Sequence, residues 1–395
     1  MKKLFLASTA TLALAAAAAQ AEEVKMGILL GFTGPLESLA PAMADGAELA
    51  LKEINDSGKF MNGDTLVPVR GDSTCIDAAA ATAAAERLVT SDRVAGIMGA
   101  MCSGATGAVL QNVALANGVV MISPSATSPG LSTVEDNGYF FRTAPSDARQ
   151  GVIIAETLKE RGIESVAITY TNNDYGKGLA DSIASAFEEL GGTVTINAAH
   201  EDGKADYSAE IGALSSAGGD ALVVAGYIDQ GGKGVIRAAL DSGAFDMFVF
   251  PDGMVGETLE SQFAGEIDGS IGMKPGSESE GLAMFVEQAK AAGFDGNEVY
   301  SPEAYDAMAL MVMAMQAAGS TSGDDYKGKI MEIANAPGEQ IMPGELGKAL
   351  EILAGGGDVD YVGASAVEFI EPGESAGSYL EMELQDGKLV TVNVR

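Results

Sequence analysis

The chain has 395 residues, length for about two domains, and is 47% hydrophobic but only 20% charged. That composition supports packed cores and excludes wholesale disorder. Its 56 acidic against 23 basic side chains give a net charge of −33, which repels nucleic-acid backbones and anionic bilayers and excludes both as partners.

Residues 1–21 read as a secretory signal peptide. Met1-Lys2-Lys3 is a basic start, residues 4–19 are small and apolar, and Ala19-Gln20-Ala21 is a small-x-small cleavage site followed by Glu22-Glu23. The apolar run falls short of the roughly 20 residues that a spanning helix needs. Export to the periplasm, with cleavage after Ala21, is the expectation. In that compartment the two cysteines of the chain, Cys75 and Cys102, can oxidise.

Strands and helices then alternate. Strand 24–31 ends in Gly31-Phe32-Thr33-Gly34-Pro35 and leads to a helix over 41–55. Strand 65–70, helix 77–90, strand 94–98, helix 105–116 and strand 119–123 follow. Strands separated by helices of this length form right-handed βαβ units and a parallel sheet. After Phe141-Arg142-Thr143-Ala144-Pro145 the pattern restarts with helix 151–161 and strand 165–170. The next helix carries Leu179, Ile183, Phe187 and Leu190 as one apolar stripe. Strand 194–198, helix 207–216, strand 221–227, helix 233–240 and strand 247–250 complete a second α/β set. Beyond Ile271 the pattern predicts helices over 281–292, 302–318 and 326–334. Met308, Met311, Met313 and Met315 read as core filler on the second of these. The tail from 360 to 394 alternates like strands, with Asp386-Gly387 as a hairpin turn.

Open parallel sheets bind ligands at the carboxyl ends of their strands. In the first set those ends carry Cys102-Ser103-Gly104 at a helix start and Ser123-Pro124-Ser125-Ala126-Thr127. Free N–H groups and hydroxyls there suit a carboxylate. In the second set they carry Asn172-Asn173-Asp174-Tyr175, Tyr227-Ile228-Asp229 and Pro251-Asp252-Gly253, aromatics and a carboxylate suited to a cation. A zwitterion facing both sets is held at both ends. Each residue taken singly also has an ordinary reading: Ser103 as an N-cap, Ser125 and Thr127 in a turn, Asp252 as a solvated loop acid and Tyr175 as a surface aromatic. Catalysis has little support. The one histidine, His200, has no identifiable acid–base partner and reads as structural or exposed. Cys-x-x-Cys, His-Glu-x-x-His, Gly-x-Ser-x-Gly and Walker A patterns are missing. Neither an enzyme nor a cofactor or metal site is expected.

Gly34-Pro35 with Asp45-Gly46-Ala47, Asp72-Ser73-Thr74-Cys75, Cys102-Ser103-Gly104 and Ile122 to Thr127 resemble the branched-chain amino-acid (Leu/Ile/Val) periplasmic binding proteins. So do Phe141-Arg142-Thr143, Asp174-Tyr175-Gly176-Lys177-Gly178 and Tyr361-Val362-Gly363-Ala364-Ser365. The resemblance runs in order over nearly the whole mature chain. It implies a type I fold: two doubly wound parallel-sheet α/β lobes joined by three crossovers and closing on a ligand. It also implies a monomeric receptor that hands an amino acid to an ABC permease in the inner membrane. The lobes are placed at 22–143 plus 271–357 and at 144–270 plus 358–395.

The same resemblance makes Ser103 and Thr127 ligand-carboxylate residues, with Thr127 also serving the ammonium. Ser125, where the family usually has alanine, offers its carbonyl to the ammonium, with Ala126 beside it. Asp252 stands where the family has an acid, commonly glutamate, that pairs with the ammonium. Tyr175 and Tyr227 match aromatics of the second lobe, and Cys75 and Cys102 match the family disulfide. Leu39 departs from a side-chain-contacting tyrosine of the leucine-binding members. Other readings are a receptor for an amide, urea or carboxylic acid, or the ligand-binding subunit of a sensory system.

Overall fold

A computed structural model describes residues 21–395, so the signal peptide read at the N-terminus lies, apart from Ala21, outside the described residues. The first lobe is built on β1 (Glu23–Leu30), β2 (Thr65–Asp72), β3 (Ile97–Gly99), β4 (Met121–Ser123) and β5 (Phe140–Arg142). The second repeats this with β6 (Ser165–Thr171), β7 (Thr193–His200), β8 (Ala221–Ala225), β9 (Phe248–Phe250) and β10 (Ile271–Pro275). Their orders are β2-β1-β3-β4-β5 and β7-β6-β8-β9-β10, all parallel. Both sheets are doubly wound, because helices between successive strands cover both faces.

Six later strands follow, four of them at the edges of the two sheets. β11 (Glu339–Ile341) and β12 (Val359–Tyr361) pair with each other, while β13 (Phe369–Ile370) and β14 (Glu374–Ser375) extend the first sheet beyond β5. Finally β15 (Tyr379–Gln385) and β16 (Lys388–Val394) extend the second sheet, β15 lying antiparallel to β10. The turn between them carries Asp386 at φ 51° and Gly387 at φ 75°, the two positive values that a type I′ hairpin requires.

These pairings correct the lobe boundaries expected from sequence. Residues 271–275 belong to the second lobe, because β10 is its buried fifth strand and accepts β9 on one side and β15 on the other. Residues 369–375 belong to the first lobe, because β14 pairs with β5 at Arg142. The chain therefore crosses between lobes at 143–146, 276–279 and 376–378.

Each lobe also depends on one close helix contact. Gly46, in the helix Ala40–Ser57, lies where a Cβ would come within 2.5 Å of the Ser301 carbonyl oxygen on the helix Ser301–Ala318. Gly151, in the helix Asp147–Glu160, would meet Ser182 Cβ at 2.6 Å on the helix Asp174–Glu189. Met308, Met311, Met313 and Met315 are fully buried, so the methionine run is core. No described helix is long and apolar enough to cross a membrane.

Cys75 and Cys102 form a disulfide with Cα atoms 5.2 Å apart. The bridge ties the chain after β2 to the residue preceding the helix Ser103–Val109. His200 ends β7, is buried, and its Nδ1 lies 2.8 Å from Thr169 Oγ1. Burial pushes its imidazole down to about 4.

Thiol titration of unfolded, unreduced protein is expected to find no free sulfhydryl. Reduction should remove about 3.5 kcal/mol of stability, the loop-closure value for a bridge spanning 27 residues. For His200 the neutral form is favoured in the fold, so the unfolded chain binds more protons between its ordinary 6.5 and about 4. The contribution is complete above pH 6.5 and is lost on acidification through that window. Denaturant titrations of wild type and His200→Gln should diverge in this direction, approaching about 3 kcal/mol near pH 4.

Candidate functional site

The carboxyl ends of the two sheets face each other. The lobes touch at two rims that close the space between them. At one rim Ser38 N donates to Asp229 Oδ2 at 2.9 Å and Asp229 N to the Pro35 carbonyl at 3.1 Å. Leu39 lies beside them, buried, with its Cδ2 against Gly256. At the other rim Ser128 Oγ donates to the Asp174 carbonyl at 3.0 Å, and Pro129 packs against Gly178.

On the first lobe, Ser103 opens a helix, and its hydroxyl accepts from Ser128 N at 3.2 Å. It is no simple N-cap, since Cys102 occupies that position. The loop after β4 is irregular backbone held by buried groups. Ser123 Oγ donates to the Ala100 carbonyl at 2.6 Å and accepts from Ala126 N at 2.9 Å. Ser125 Oγ donates to the Met101 carbonyl at 2.8 Å. Arg142, fully buried, donates to the carbonyls of Ala126 and Ser128, each at 3.0 Å, and pairs with Glu374. The conspicuous Phe-Arg-Thr segment therefore fixes the loop that bears Ser125 and Thr127. Thr127 itself is buried, with the Asp147 carboxyl beside its hydroxyl.

On the second lobe, Tyr175 and Tyr227 stack with ring centroids 5.1 Å apart and an interplanar angle of 7°. Tyr175 enters on the first turn of its helix, capped by Asn173, whose side chain accepts from Gly176 N at 3.0 Å. The Tyr175 hydroxyl donates to Asp252 Oδ1 at 3.0 Å and accepts from Gly253 N at 3.2 Å. Both tyrosines are buried, and burial holds their hydroxyls protonated. Neither is the exposed aromatic of the ordinary reading.

Asp252 is 2% exposed, so it is not a solvated loop acid. Its second oxygen accepts from Tyr300, which precedes a first-lobe helix; the carboxyl is thus held by hydroxyls from both lobes. Burial raises its pKa, opposed by those tyrosines and by nearby Gln150. Ser103, Ser125, Thr127, Tyr175, Tyr227, Asp252 and Leu39 are all buried, and Tyr175 is in direct contact with both Tyr227 and Asp252.

Three residues at the site escaped the sequence reading: Tyr300, Asp147 and Gln150. Asp147 is the first residue of a helix capped by Ser146, a helix that the sequence pattern starts only at 151. It is fully buried, with the Thr127 hydroxyl beside its carboxyl, as the Gln150 amide lies beside that of Asp252. Burial first, and the charge of Asp252 second, push the Asp147 carboxyl well above the usual range. Among the described residues neither acid forms an ion pair, and the buried guanidinium of Arg142 goes to Glu374. No group of three or more His, Cys, Asp or Glu side chains could hold a metal ion among the described residues.

Comparison with known proteins agrees with this architecture. The Leu/Ile/Val-binding protein homolog 1 of Brucella melitensis is 30% identical over 302 residues, covering 75% of this chain and 79% of the relative. The branched-chain amino-acid transporter substrate-binding protein LivJ of Streptococcus pneumoniae, solved with isoleucine, superposes with a TM-score of 0.77 at 25% identity, over 94% of this chain and 99% of the other. A solute-binding protein of an ABC transporter from R. palustris, solved with 4-hydroxybenzoate, superposes at 0.75 with 19% identity, over 94% and 97%. The profile of the periplasmic binding protein family matches residues 23–338, and the chain belongs to that family.

Proposed function

We propose that the protein is the periplasmic substrate-binding receptor of an ABC importer and holds an amino acid with an apolar side chain between its lobes. Asp252 carries the reading. A buried carboxylate without a cationic partner is costly, and Asp252, 2% exposed and holding hydroxyls of both lobes, would give an ammonium a counter-charge while Ser103, Thr127 and helix N–H groups meet the ligand carboxylate. Ser125 contributes its carbonyl to the ammonium. Tyr175 and Tyr227 cover the ligand from the second lobe, and Leu39 gives the side chain an apolar neighbour. The ligand passes unchanged to a permease, so no catalytic group is required.

The benzoate-bound relative favours a second reading, a receptor for a simple carboxylic acid. The two readings separate on charge, since a carboxylate at Asp252 repels a ligand that is only an anion. Asp252→Asn keeps the shape and removes the charge. It should weaken binding of an amino acid by about 2–5 kcal/mol, nearer the lower figure because one acceptor oxygen remains. Calorimetry with L-leucine and its deaminated analogue, on wild type and variant, reads this directly. Equal binding of leucine by both proteins would remove Asp252 from the site. Because the binding groups come from both lobes, small-angle scattering should also show a smaller radius of gyration on adding leucine. An unchanged profile at saturation would mean that the lobes do not close on the ligand.

A further inference from the structure

Away from the ligand groups, the lobes meet again where the three crossovers run together. The Thr143 hydroxyl of the first crossover donates to the Glu303 carbonyl at 2.8 Å. Gly276 of the second and Ser378 of the third share two hydrogen bonds: Gly276 N donates to the Ser378 carbonyl and Ser378 Oγ to the Gly276 carbonyl, each at 3.0 Å. A cavity of about 40 Å³ lies at this junction, with room for water but not for an amino acid. Glu303 and Ser365 line it from the first lobe, Lys274 and Leu380 from the second, and Ser277 from the crossover itself.

Two polar atoms at this cavity are buried without a partner among the described residues, Glu303 Oε2 and Ser277 Oγ, on residues 3% and 9% exposed. Burial pushes the Glu303 carboxyl up to about 8; its own N–H opposes the rise, Asp306 adds to it and Lys274 opposes it. Asp306, on the same helix, is held by the Tyr361 and Ser365 hydroxyls and the backbone of Ala364 and Ser365. Across the cavity, Lys274 gives its ammonium to the Asn297 carbonyl at 2.7 Å, and the charges of Glu298, Asp295 and Glu260 bear on it besides that of Glu303. Tyr300, also at this junction, spends its hydroxyl on Asp252.

We propose that Glu303 is a proton-operated element of the hinge, neutral while the lobes are closed and ionised once opening lets water into the junction, so that closing on a ligand takes up a proton. The cavity has walls from both lobes, so rotation about the crossovers does not leave it intact. A neutral carboxyl is tolerated in a dry junction, whereas an ionised one needs water or a cation. This contribution to closure is complete below the carboxyl's ordinary 4.5 and is lost as pH rises through about 8. Lys274 has the opposite sign, since burial lowers its pKa and closing would then release a proton. Burial also raises Asp147 and Asp252, but both remain in any Glu303 variant, so a difference between variant and wild type belongs to Glu303. The proposal rests on the amino-acid reading above only for its readout, the binding of leucine.

The test is calorimetry with L-leucine on the full mature protein, wild type against Glu303→Gln, between pH 6 and 8.5 and in buffers of different ionisation enthalpy. At pH 7 wild type should take up roughly one proton per leucine, and its affinity should fall at least tenfold across the range. Glu303→Gln, uncharged throughout, should take up at least half a proton less, and its affinity should fall at least fivefold less. A merely structural carboxyl would move neither reading. If Glu303→Gln does not fold, Lys274→Gln takes its place: losing the facing ammonium must raise the pH at which half of the uptake is lost. Equal uptake in wild type and Glu303→Gln, a wild-type affinity that stays level with pH, or an unmoved midpoint in Lys274→Gln overturns the proposal and leaves the amino-acid reading standing. A wild type that binds no leucine at any pH overturns that reading and takes this proposal with it.

Discussion

The closed arrangement depends on one buried carboxyl held from both sides. Asp252 receives the Tyr175 hydroxyl from its own lobe and the Tyr300 hydroxyl from the other. A carboxyl taken out of water needs donors or a cation, and with two hydroxyls it has half of what an ion demands. The remaining shortfall is an electrostatic preference for a positive group in the same space. Separation of the lobes would break the Tyr300 contact and return Asp252 to water, so closure and cation affinity are expressions of the same desolvation.

The first lobe meets that carboxyl with irregular backbone, and irregular backbone must be held in place to be useful. Two anchors do this. The disulfide fixes the residue before Ser103, which sets the direction of the helix and of its free N–H groups. Arg142 reaches from β5 under the loop after β4 and holds the carbonyls of Ala126 and Ser128. Its charge is matched by Glu374 on β14. A returning strand from the end of the chain therefore stabilises a loop formed more than two hundred residues earlier. Removal of either partner would leave the other charge buried and alone, the costly case for such pairs.

The second lobe solves its problem with aromatic rings. Tyr175 and Tyr227 stack almost parallel, and their burial keeps both hydroxyls protonated and able to donate. His200, by contrast, lies at the end of a strand beside this region and is held neutral by burial. Its contacts, a hydrogen bond with Thr169 and an edge-on meeting with the Tyr207 ring, are a packing role. The position at a strand's carboxyl end does not by itself make a residue part of the site. What counts is whether the side chain looks across to the other lobe.

The alternation of strands and helices determined the two α/β sets without any tertiary information, because period and length distinguish a buried parallel strand from a helix. The strand ends then pointed to Ser103, Thr127, Tyr175, Tyr227 and Asp252, since ligand groups collect where parallel strands stop. The hairpin at Asp386-Gly387 was equally legible, its turn chemistry being local. Lobe membership after Ile271 was decided only by the tertiary structure. Which sheet β10 and β14 join depends on partners far away in the chain. The same holds for Tyr300 and Asp147. Both lay outside the helices that the pattern predicts, and nothing local distinguishes a carboxylate in water from a buried one. Local chemistry is written in neighbouring residues, whereas burial and the charge of a facing lobe exist only once the chain has folded.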